Sequence, residues 1–543
     1  MKKTTIHCLL FVCLSLTFAA KAQNVIDKGK DQVKYFNAHQ FYLGENYSAA
    51  LKLYKELGVE HPDDASIMFH IGACYLKQNE ISDAIENLEK AKAKNPAADD
   101  DLDMDLGLAY QQNGDIDKAI AEYSTFKTTF AKKESKLKAS RVDYYLDQCN
   151  TAKELMAKPV NVKIENMGQA INSEYDDKTP SISADGKTLI FNSRRPDGPN
   201  SPVDKEGDGK YFEKVYISQW DTVNNKWMNA EMIPGSINAE GHDACCSLSP
   251  NGKEIFLYKN NIQTAKGGDI YISKRSISGK WRTPETVGPP VNTSYYEDGA
   301  CLSPDGKELY FVSERPGGYG RGDIYVSKRI SSHEWGKPVN LGPTINTAED
   351  EGGVFMAPDG KTLFFSSEGH NSMGSYDIFK SVLVNGKWTT PVNLGYPINT
   401  IYNDVSFVIA SDGKTGYFAS DRKGGLGGKD LYQVDLSNYP VLDDDMNNGP
   451  KSTGLSILKG SIFDAKKGTA LEADIVISDT TGTKVASTSS GTEGSYFITL
   501  KGDKKYQLEV KKSGYETFTE TITLPTSPKG TYSMDKDILL KKK

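Results

Sequence analysis

A recurring turn constrains this chain more than any other feature. Asp185-Gly186-Lys187, Asn251-Gly252-Lys253, Asp305-Gly306-Lys307, Asp359-Gly360-Lys361 and Asp412-Gly413-Lys414 are five copies of one motif, and after a first interval of 66 residues they fall 54, 54 and 53 apart. Asp-Gly and Asn-Gly supply the left-handed backbone that a tight hairpin needs. Each copy joins two short runs rich in β-branched and aromatic residues, such as Gly299 to Ser303 and Glu308 to Ser313, which read as strands. A third run follows (Val215-Tyr216-Ile217, Asp269-Ile270-Tyr271, Asp323-Ile324-Tyr325, Asp377-Ile378-Phe379, Asp430-Leu431-Tyr432), and a fourth starts at Trp227, Trp281, Trp335 and Trp388. Four strands in about 50 residues is the arithmetic of a propeller blade. The fifth copy has no fourth strand after Asp435. The segment Lys158-Pro159-Val160-Asn161 to Gly168-Gln169-Ala170-Ile171-Asn172 matches Lys337 to Asn346 and can supply it. The expectation is a five-bladed β-propeller over 158–438, closed by its N-terminal strand.

A shorter period precedes it. Gly44 to Ala50 recurs at Asn79 to Ala84 and at Gly114 to Ala119, spaced 34 and 35, and Pro62 and Pro96 are also 34 apart. Gly72-Ala73-Cys74-Tyr75 matches Gly107-Leu108-Ala109-Tyr110. Small residues at fixed points let two helices touch, with aromatics filling the gaps. The pattern resembles tetratricopeptide repeats, which implies an α-solenoid of about three helix pairs and a further helix at 134–156, within a domain over 23–157. Stacked hairpins of this kind leave a concave groove. It reads as a protein-docking groove or as a spacer.

The ends of the chain carry other signals. Lys2 and Lys3 precede a short apolar run, Ile6 to Phe18, and Ala20-Lys21-Ala22 suits a signal peptidase, so 1–22 reads as a secretory signal peptide. Cys13 follows Phe11-Val12, a poor setting for lipidation. No later run is long and apolar enough to span a bilayer, so the expectation is not an integral membrane protein. Residues 439–454, with Asp443-Asp444-Asp445 and Asn447-Asn448-Gly449-Pro450, read as a linker. Residues 455–543 are strands and turns (Leu471 to Ile477, Gly491 to Phe497, Tyr506 to Val510, Lys512-Ser513-Gly514-Tyr515) and look like the non-catalytic carboxypeptidase regulatory-like domain, a small pre-albumin-like β-sandwich. The fold class expected is multidomain, α followed by all-β. Three such domains suit 543 residues.

Chemistry is sparse. A net charge of −7 gives no reason to expect nucleic-acid binding. There is no G-x-S-x-G elbow and no H-E-x-x-H motif. The six histidines after the signal (His39, His61, His70, His242, His333, His370) have no metal-ligand spacing, and the glycine-rich piece Gly424 to Gly428 opens no helix. No catalytic residue, cofactor or metal is expected. Of the cysteines, Cys74, Cys149, Cys245, Cys246 and Cys301 read as buried small hydrophobes, with a Cys245/Cys246 or Cys246/Cys301 bridge as the alternative. One acid precedes each turn at constant distance: Asp177, Asp243, Glu297, Glu351 and Asp404. Innermost strands line a propeller's channel, so these five form a candidate acidic ring at its mouth, binding a cation or a basic peptide tip. The alternative is that each caps its own loop by accepting backbone N–H bonds. The series Asp269, Asp323, Asp377, Asp430 reads as an anchor within each blade.

Ser313-Glu314-Arg315-Pro316-Gly317-Gly318, Ser420-Asp421-Arg422-Lys423-Gly424-Gly425 and the Gly-Asp-Ile-Tyr pieces resemble the WD-repeat-like propeller repeats of bacterial periplasmic proteins, such as the Tol-Pal propeller. The module order resembles Bacteroidetes-type multidomain periplasmic proteins and, within them, the family of PorE-type components of type IX secretion. That family carries a C-terminal OmpA-like domain, whereas this sequence ends at Lys541-Lys542-Lys543, so peptidoglycan binding is not expected. The resemblance implies a non-enzymatic periplasmic or outer-membrane-associated scaffold that binds envelope proteins, in type IX secretion or envelope organisation. The first alternative is a glycan- or cell-wall-binding protein, and the second is a propeller hydrolase or lyase, which a buried carboxylate pair in the channel would favour.

Overall fold

The computed structural model describes residues 30–130, 136–204, 209–239, 241–260, 268–276, 279–331, 334–442, 455–491, 493–526 and 531–543. The signal peptide over 1–22, most of the linker over 439–454, and His333 lie outside the described residues. The chain divides into two compact units, Met1–Lys153 and Glu154–Lys543.

The first unit is helical. Seven helices follow one another: α1 (Lys30–Leu43), α2 (Tyr47–Glu60), α3 (Ala65–Lys77), α4 (Ile81–Lys94), α5 (Leu102–Asn113), α6 (Ile116–Phe130) and α7 (Lys136–Met156). Polar side chains start two of them. Asp64 accepts from the Ser66 and Ile67 amides, and Asn46 accepts from Ala49, each satisfying orphan donors of a first turn. Gly114, at φ 91°, ends α5 in the left-handed region. Helices pack in consecutive pairs, and the repeated small residues sit at the contacts. A Cβ on Gly72 would stand 2.7 Å from the Leu88 side chain, and one on Gly107 2.6 Å from the Tyr123 ring. Ala50, Ala84, Ala91, Ala109 and Ala119 are fully buried beside Tyr54, Leu88 and Tyr123. Among the described residues no helix is long and apolar enough to cross a membrane.

The second unit contains five antiparallel sheets and then two more. The innermost strands of the five are Asp177–Ile182, Asp243–Leu248, Glu297–Leu302, Glu351–Met356 and Asp404–Ile409. Each lies beside the next, and the fifth lies beside the first, so the sheets form a closed ring. The closing strand of the fifth sheet is Lys163–Asn166, paired antiparallel with Asp430–Asp435 from Lys163↔Asp435 to Asn166↔Tyr432. It starts five residues after the Lys158 expected from sequence.

Trp227 and Trp388 lie in paired outer strands as expected, and the second and third sheets differ. Trp281 and Trp335 make only isolated bridges, Trp281 to Gly235 and Arg275 and Trp335 to Arg329. The outer edge is instead taken by Glu285–Thr286 and Val339–Asn340. Pro284 and Pro338 stand between the tryptophans and these pairs; proline has no N–H to give a ladder.

A separate apolar cluster fills each gap between neighbouring sheets. Phe256 and Ile270 of the second sheet pack with Leu309 and Phe311 of the third. Tyr310 and Val312 of the third pack with Leu363 and Phe365 of the fourth. Phe364 and Ile378 of the fourth pack with Phe407 and Phe418 of the fifth. Alternation along each strand sends successive side chains into opposite gaps, which is why these strands read as nearly continuous apolar runs. Each fully buried large side chain contributes about 1.5–3 kcal/mol.

Residues 455–543 form two four-stranded sheets around a core that includes Leu458, Ile462, Ile475, Ile477, Leu508 and Val510. Leu455–Asp464 pairs antiparallel with Ser495–Lys501 and parallel with Tyr532–Asp535 and Ile538–Leu540. This layer sits on the ring. Ala184 packs with Ile457 and Phe497, and Thr488 Oγ1 donates to the Asp305 carbonyl at 3.4 Å.

Candidate functional site

The five acids of the sequence motif sit at equivalent places, and each is spent on its own loop. Asp177, Asp243, Glu297 and Asp404 are 0% exposed and Glu351 is 2% exposed. Each accepts the backbone amide four residues earlier: Ser173, Ala239, Thr293, Thr347 and Thr400. In four of them the hydroxyl of that earlier Ser or Thr donates as well. The arginine of the Ser-x-Arg piece then clamps three of the acids. Arg195 reaches Asp177 at 2.7 Å, Arg315 reaches Glu297 at 3.4 Å, and Arg422 reaches Asp404 at 2.5 Å. Each of these guanidiniums also donates to a carbonyl near the start of the same loop, at Ile171, Val291 or Ile398. Asp243 has two lysines instead, Lys214 at 3.1 Å and Lys259 at 2.5 Å. Glu351 has no ion-pair partner among the described residues. His370 stands in the arginine's place and donates to the Ile345 carbonyl at 2.9 Å. Burial pushes the Glu351 carboxyl up to about 7, held back in part by Thr347 and Ser367.

The aspartates of the third strands close loops too. Asp323 accepts from the Tyr319 and Gly320 amides, Asp377 from Met373 and Gly374, and Asp430 from Leu426 and Gly427. Gly320, Gly374 and Gly427 press against the next sheet's loop. A Cβ there would stand 1.9, 2.2 and 2.2 Å from a carbonyl oxygen. Burial raises the Asp377 carboxyl to about 8.

The open chemistry is one residue further along. A cavity of about 490 Å³ lies at the centre of the ring, and Lys178, Ala244, Asp298, Gly352 and Val405 line it. These are the residues that directly follow the five acids. In a pleated strand neighbours face opposite ways, so the acid turns into the sheet while its successor faces the cavity. Of the five acids, Glu351 also borders this cavity. Every innermost strand carries a register shift just beyond this point. Thr179 and Ser406 are held there at φ 54° and 58°, a backbone that side-chain-bearing residues adopt at a cost.

The cavity holds two carboxyl groups in opposite electrostatic settings. Asp298 is half-buried on its wall, and burial raises its pKa. Tyr296, whose hydroxyl donates to Oδ2 at 3.2 Å, and Lys178 oppose the rise, while Glu213 and Glu314 add to it. Glu213 is 6% exposed. Burial alone would raise it, but Lys178 in contact with Oε1, Arg194 at 3.5 Å and His242 together hold it below the usual carboxylate range. Tyr258 and Tyr296 stand on the same wall with ring centroids 5.3 Å apart, and burial raises the Tyr258 hydroxyl to about 12. Across the cavity Asp350 accepts from the Gly322 amide at 2.8 Å and pairs with Arg321.

Sequence reasoning passed over both carboxyls, although each breaks the internal repeat. The first copy reads Glu213-Lys214-Val215-Tyr216 where the next three read Gly-Asp-Ile-Tyr, Gly-Asp-Ile-Tyr and Tyr-Asp-Ile-Phe. Asp298 is the acid in a series otherwise Lys, Ala, Gly and Val.

The cysteines Cys74, Cys149, Cys246 and Cys301 are free thiols, each raised to about 12 by burial; a Cys246/Cys301 bridge is not formed. In the helical unit, Asp31, Glu60 and His61 bring three metal-type ligand atoms within 4.8 Å of one another. Lys34 already sits 3.1 Å from Glu60 there and supplies a cation's charge.

Residues 67–98 match the tetratricopeptide repeat family, so the helical unit is a repeat module of a type that suggests protein–protein interaction. No curated protein matches the chain. Among solved structures it is similar to the Yersinia enterocolitica type III secretion translocator chaperone SycD, at 20% identity over 25% of this chain and 93% of that one, with a TM-score of 0.23. It is similar to the α-L-arabinofuranosidase PaAbf62A from Podospora anserina, solved with cellotriose, at 13% identity over 50% of this chain and 92% of that one, TM-score 0.32. It is also similar to RS223-β-xylosidase, at 14% identity over 50% and 94%, TM-score 0.34. The expectation of a non-enzymatic scaffold is corrected at this point. Structures similar over about half of this chain, at 12–14% identity and TM-scores of 0.30–0.34, include glycosidases.

Proposed function

We propose that the five-sheet ring is a five-bladed β-propeller, that the layer after it is a pre-albumin-like sandwich, and that the central cavity is a glycan-processing site. One observation carries the reading: Asp298 and Glu213 share a cavity but are pushed to opposite protonation preferences. Glycosidic cleavage needs one carboxyl that holds a proton for the leaving oxygen and one that stays ionised. Asp298 is the acid and Glu213 the base. Tyr258 and Tyr296 offer a flat aromatic wall with polar edges, which suits a pyranose face. The strained positions Thr179 and Ser406 are consistent with a wall shaped for a ligand.

The Lys178 contact on Glu213 favours a second reading, in which the cavity binds a glycan without cleaving it. An ammonium on a general base weakens it, because proton-transfer efficiency depends on a pKa near the working pH. In either case the chain is exported, and the helical repeats dock an envelope protein that places the cavity at its glycan.

The test uses residues 23–543 with a panel of aryl glycosides and purified cell-wall polysaccharides, read by released aglycone or reducing ends and by calorimetric binding. Turnover that Asp298→Asn and Glu213→Gln abolish supports the hydrolase. Binding without turnover selects the second reading. Neither binding nor turnover with any glycan overturns both.

A further inference from the structure

A second cleft, of about 340 Å³, lies where the C-terminal layer sits on the ring. Its floor is cationic: Lys253, Lys274, Arg275, Arg282, Lys307 and Arg329 line it against three acids, Glu254, Asp305 and Glu493. The opposite wall comes from the C-terminal layer and offers the hydroxyls of Thr488, Ser489 and Ser495.

The internal repeat shows that this charge is local to two sheets. The residue whose amide donates to the lysine carbonyl of each Asx-Gly-Lys turn is Trp220, Arg275, Arg329, Leu383 and Leu436 in the five sheets. Arginine stands there in the second and third alone, the two sheets that floor the cleft. Each of these arginines lies over the tryptophan of its own sheet, Arg275 at 6.0 Å from the Trp281 centroid and Arg329 at 4.7 Å from Trp335. Stacking fixes each planar head; Arg275 Nε donates to the Gly279 carbonyl at 3.0 Å and Arg329 reaches Glu254, and the rest of each edge is left for a ligand.

The cations are not used up by carboxylates. Glu254 takes Arg329 at 3.2 Å and Lys274 at 4.0 Å. Asp305 accepts from its own turn, from Ser303 at 2.7 Å and the Lys307 amide at 3.1 Å. Lys253, Arg282 and Lys307 have no carboxylate partner among the described residues, and the buried Arg329 Nε has no hydrogen-bond acceptor. Cations that served only to hold the two parts together would meet acids on the C-terminal layer, yet that wall presents one, Glu493.

We propose that this cleft binds a multivalent oxyanion, a ligand bearing two or more phosphate-type or carboxylate groups. It bridges the ring and the C-terminal layer and so stabilises their contact. The inference is independent of the glycan reading and draws on none of its residues.

The experiment is calorimetric titration of residues 23–543 with inorganic pyrophosphate and, separately, with citrate, at low and at physiological ionic strength. Saturable 1:1 binding is expected, weakening as salt rises, and falling about tenfold or more in Arg282→Gln/Lys307→Gln. Asp298→Asn should leave it unchanged, which separates this site from the central cavity. Tighter pyrophosphate binding assigns a phosphate-type ligand, and tighter citrate binding a carboxylate one. No saturable binding of either anion, or equal binding by the double variant, overturns the proposal.

Discussion

Adjacent positions of one strand do opposite things in this ring. At Asp404 the side chain turns into the sheet, is fully buried, and closes a loop with Thr400 and Arg422. At Val405 it turns out and lines the central cavity. The same pair occurs at Glu297 and Asp298, where the inner acid is spent on structure and the outer one is available for chemistry. A carboxylate's role here is decided by one residue of register. The comparison has consequences on both faces.

The largest expected effect is on the inner face. Asp404→Ala leaves Arg422, whose side chain is 13% exposed, without its anion. Breaking a buried pair by removing one partner costs about 3–5 kcal/mol. Urea unfolding should show that loss, whereas Val405→Ala, one residue on, should cost about 1–2 kcal/mol of packing. Equal losses would break the comparison.

Next is the outer face at Asp298. Burial raises the pKa of this carboxyl and Asn keeps the side chain's shape, so Asp298→Asn should change stability by less than about 0.5 kcal/mol. Removing the proton donor should cost about 10²–10⁴ in glycan turnover. Stability and turnover measured on one preparation give both numbers. A large stability loss with unchanged turnover would place Asp298 among the structural acids.

The repeat made the inner face legible. Five acids at one spacing, each with a Ser, Ala or Thr four residues before it, announce a shared loop, and three arginines at a second spacing announce its clamp. The loop-capping reading needed only that pattern. The outer face was hidden for the opposite reason. Its residues, Lys178, Ala244, Asp298, Gly352 and Val405, follow no rule, because a single cavity with no symmetry of its own needs different groups from each sheet. Periodicity finds what the five sheets share, and a site is built from what they do not. Glu213 was further masked by the departure of the first copy from the Gly-Asp-Ile-Tyr pattern. In the helical unit the small-residue period was enough, since Gly72 and Gly107 act through helix contact alone.

Glu351 sharpens the inner face by being its exception. The fourth sheet, which has neither the clamp arginine nor the lysine pair of Asp243, leaves this acid raised from 4.5 to about 7 by burial. A carboxyl raised in the folded state binds its proton more tightly there than when unfolded. Its contribution is therefore intact below about 4.5 and is lost as pH rises through about 7. The loss is about 3 kcal/mol. Glu351→Gln, which cannot ionise, should flatten the stability profile over that window, leaving the slope due to Asp377, raised to about 8. A profile unchanged by the substitution would mean that Glu351 is ionised in the folded protein.

The smallest effect separates the faces by sign. Thr179 stands beside Lys178 on the cavity wall at φ 54°, and a β-branched residue pays about 1–2 kcal/mol to remain there. Glycine adopts that backbone freely but gives back part of the gain through the entropy of its unfolded chain. Thr179→Gly should therefore stabilise the ring by about 0.5–1 kcal/mol. Substitutions of the arginine-clamped inner acids Asp177, Glu297 and Asp404 destabilise instead, because the bonds those acids make belong to the fold. If the strain at Thr179 is kept for the wall it shapes, the same substitution weakens glycan binding while raising Tm. Both quantities come from one titration calorimetry series and one thermal melt. A gain in both would show that the strain serves neither the fold nor the site.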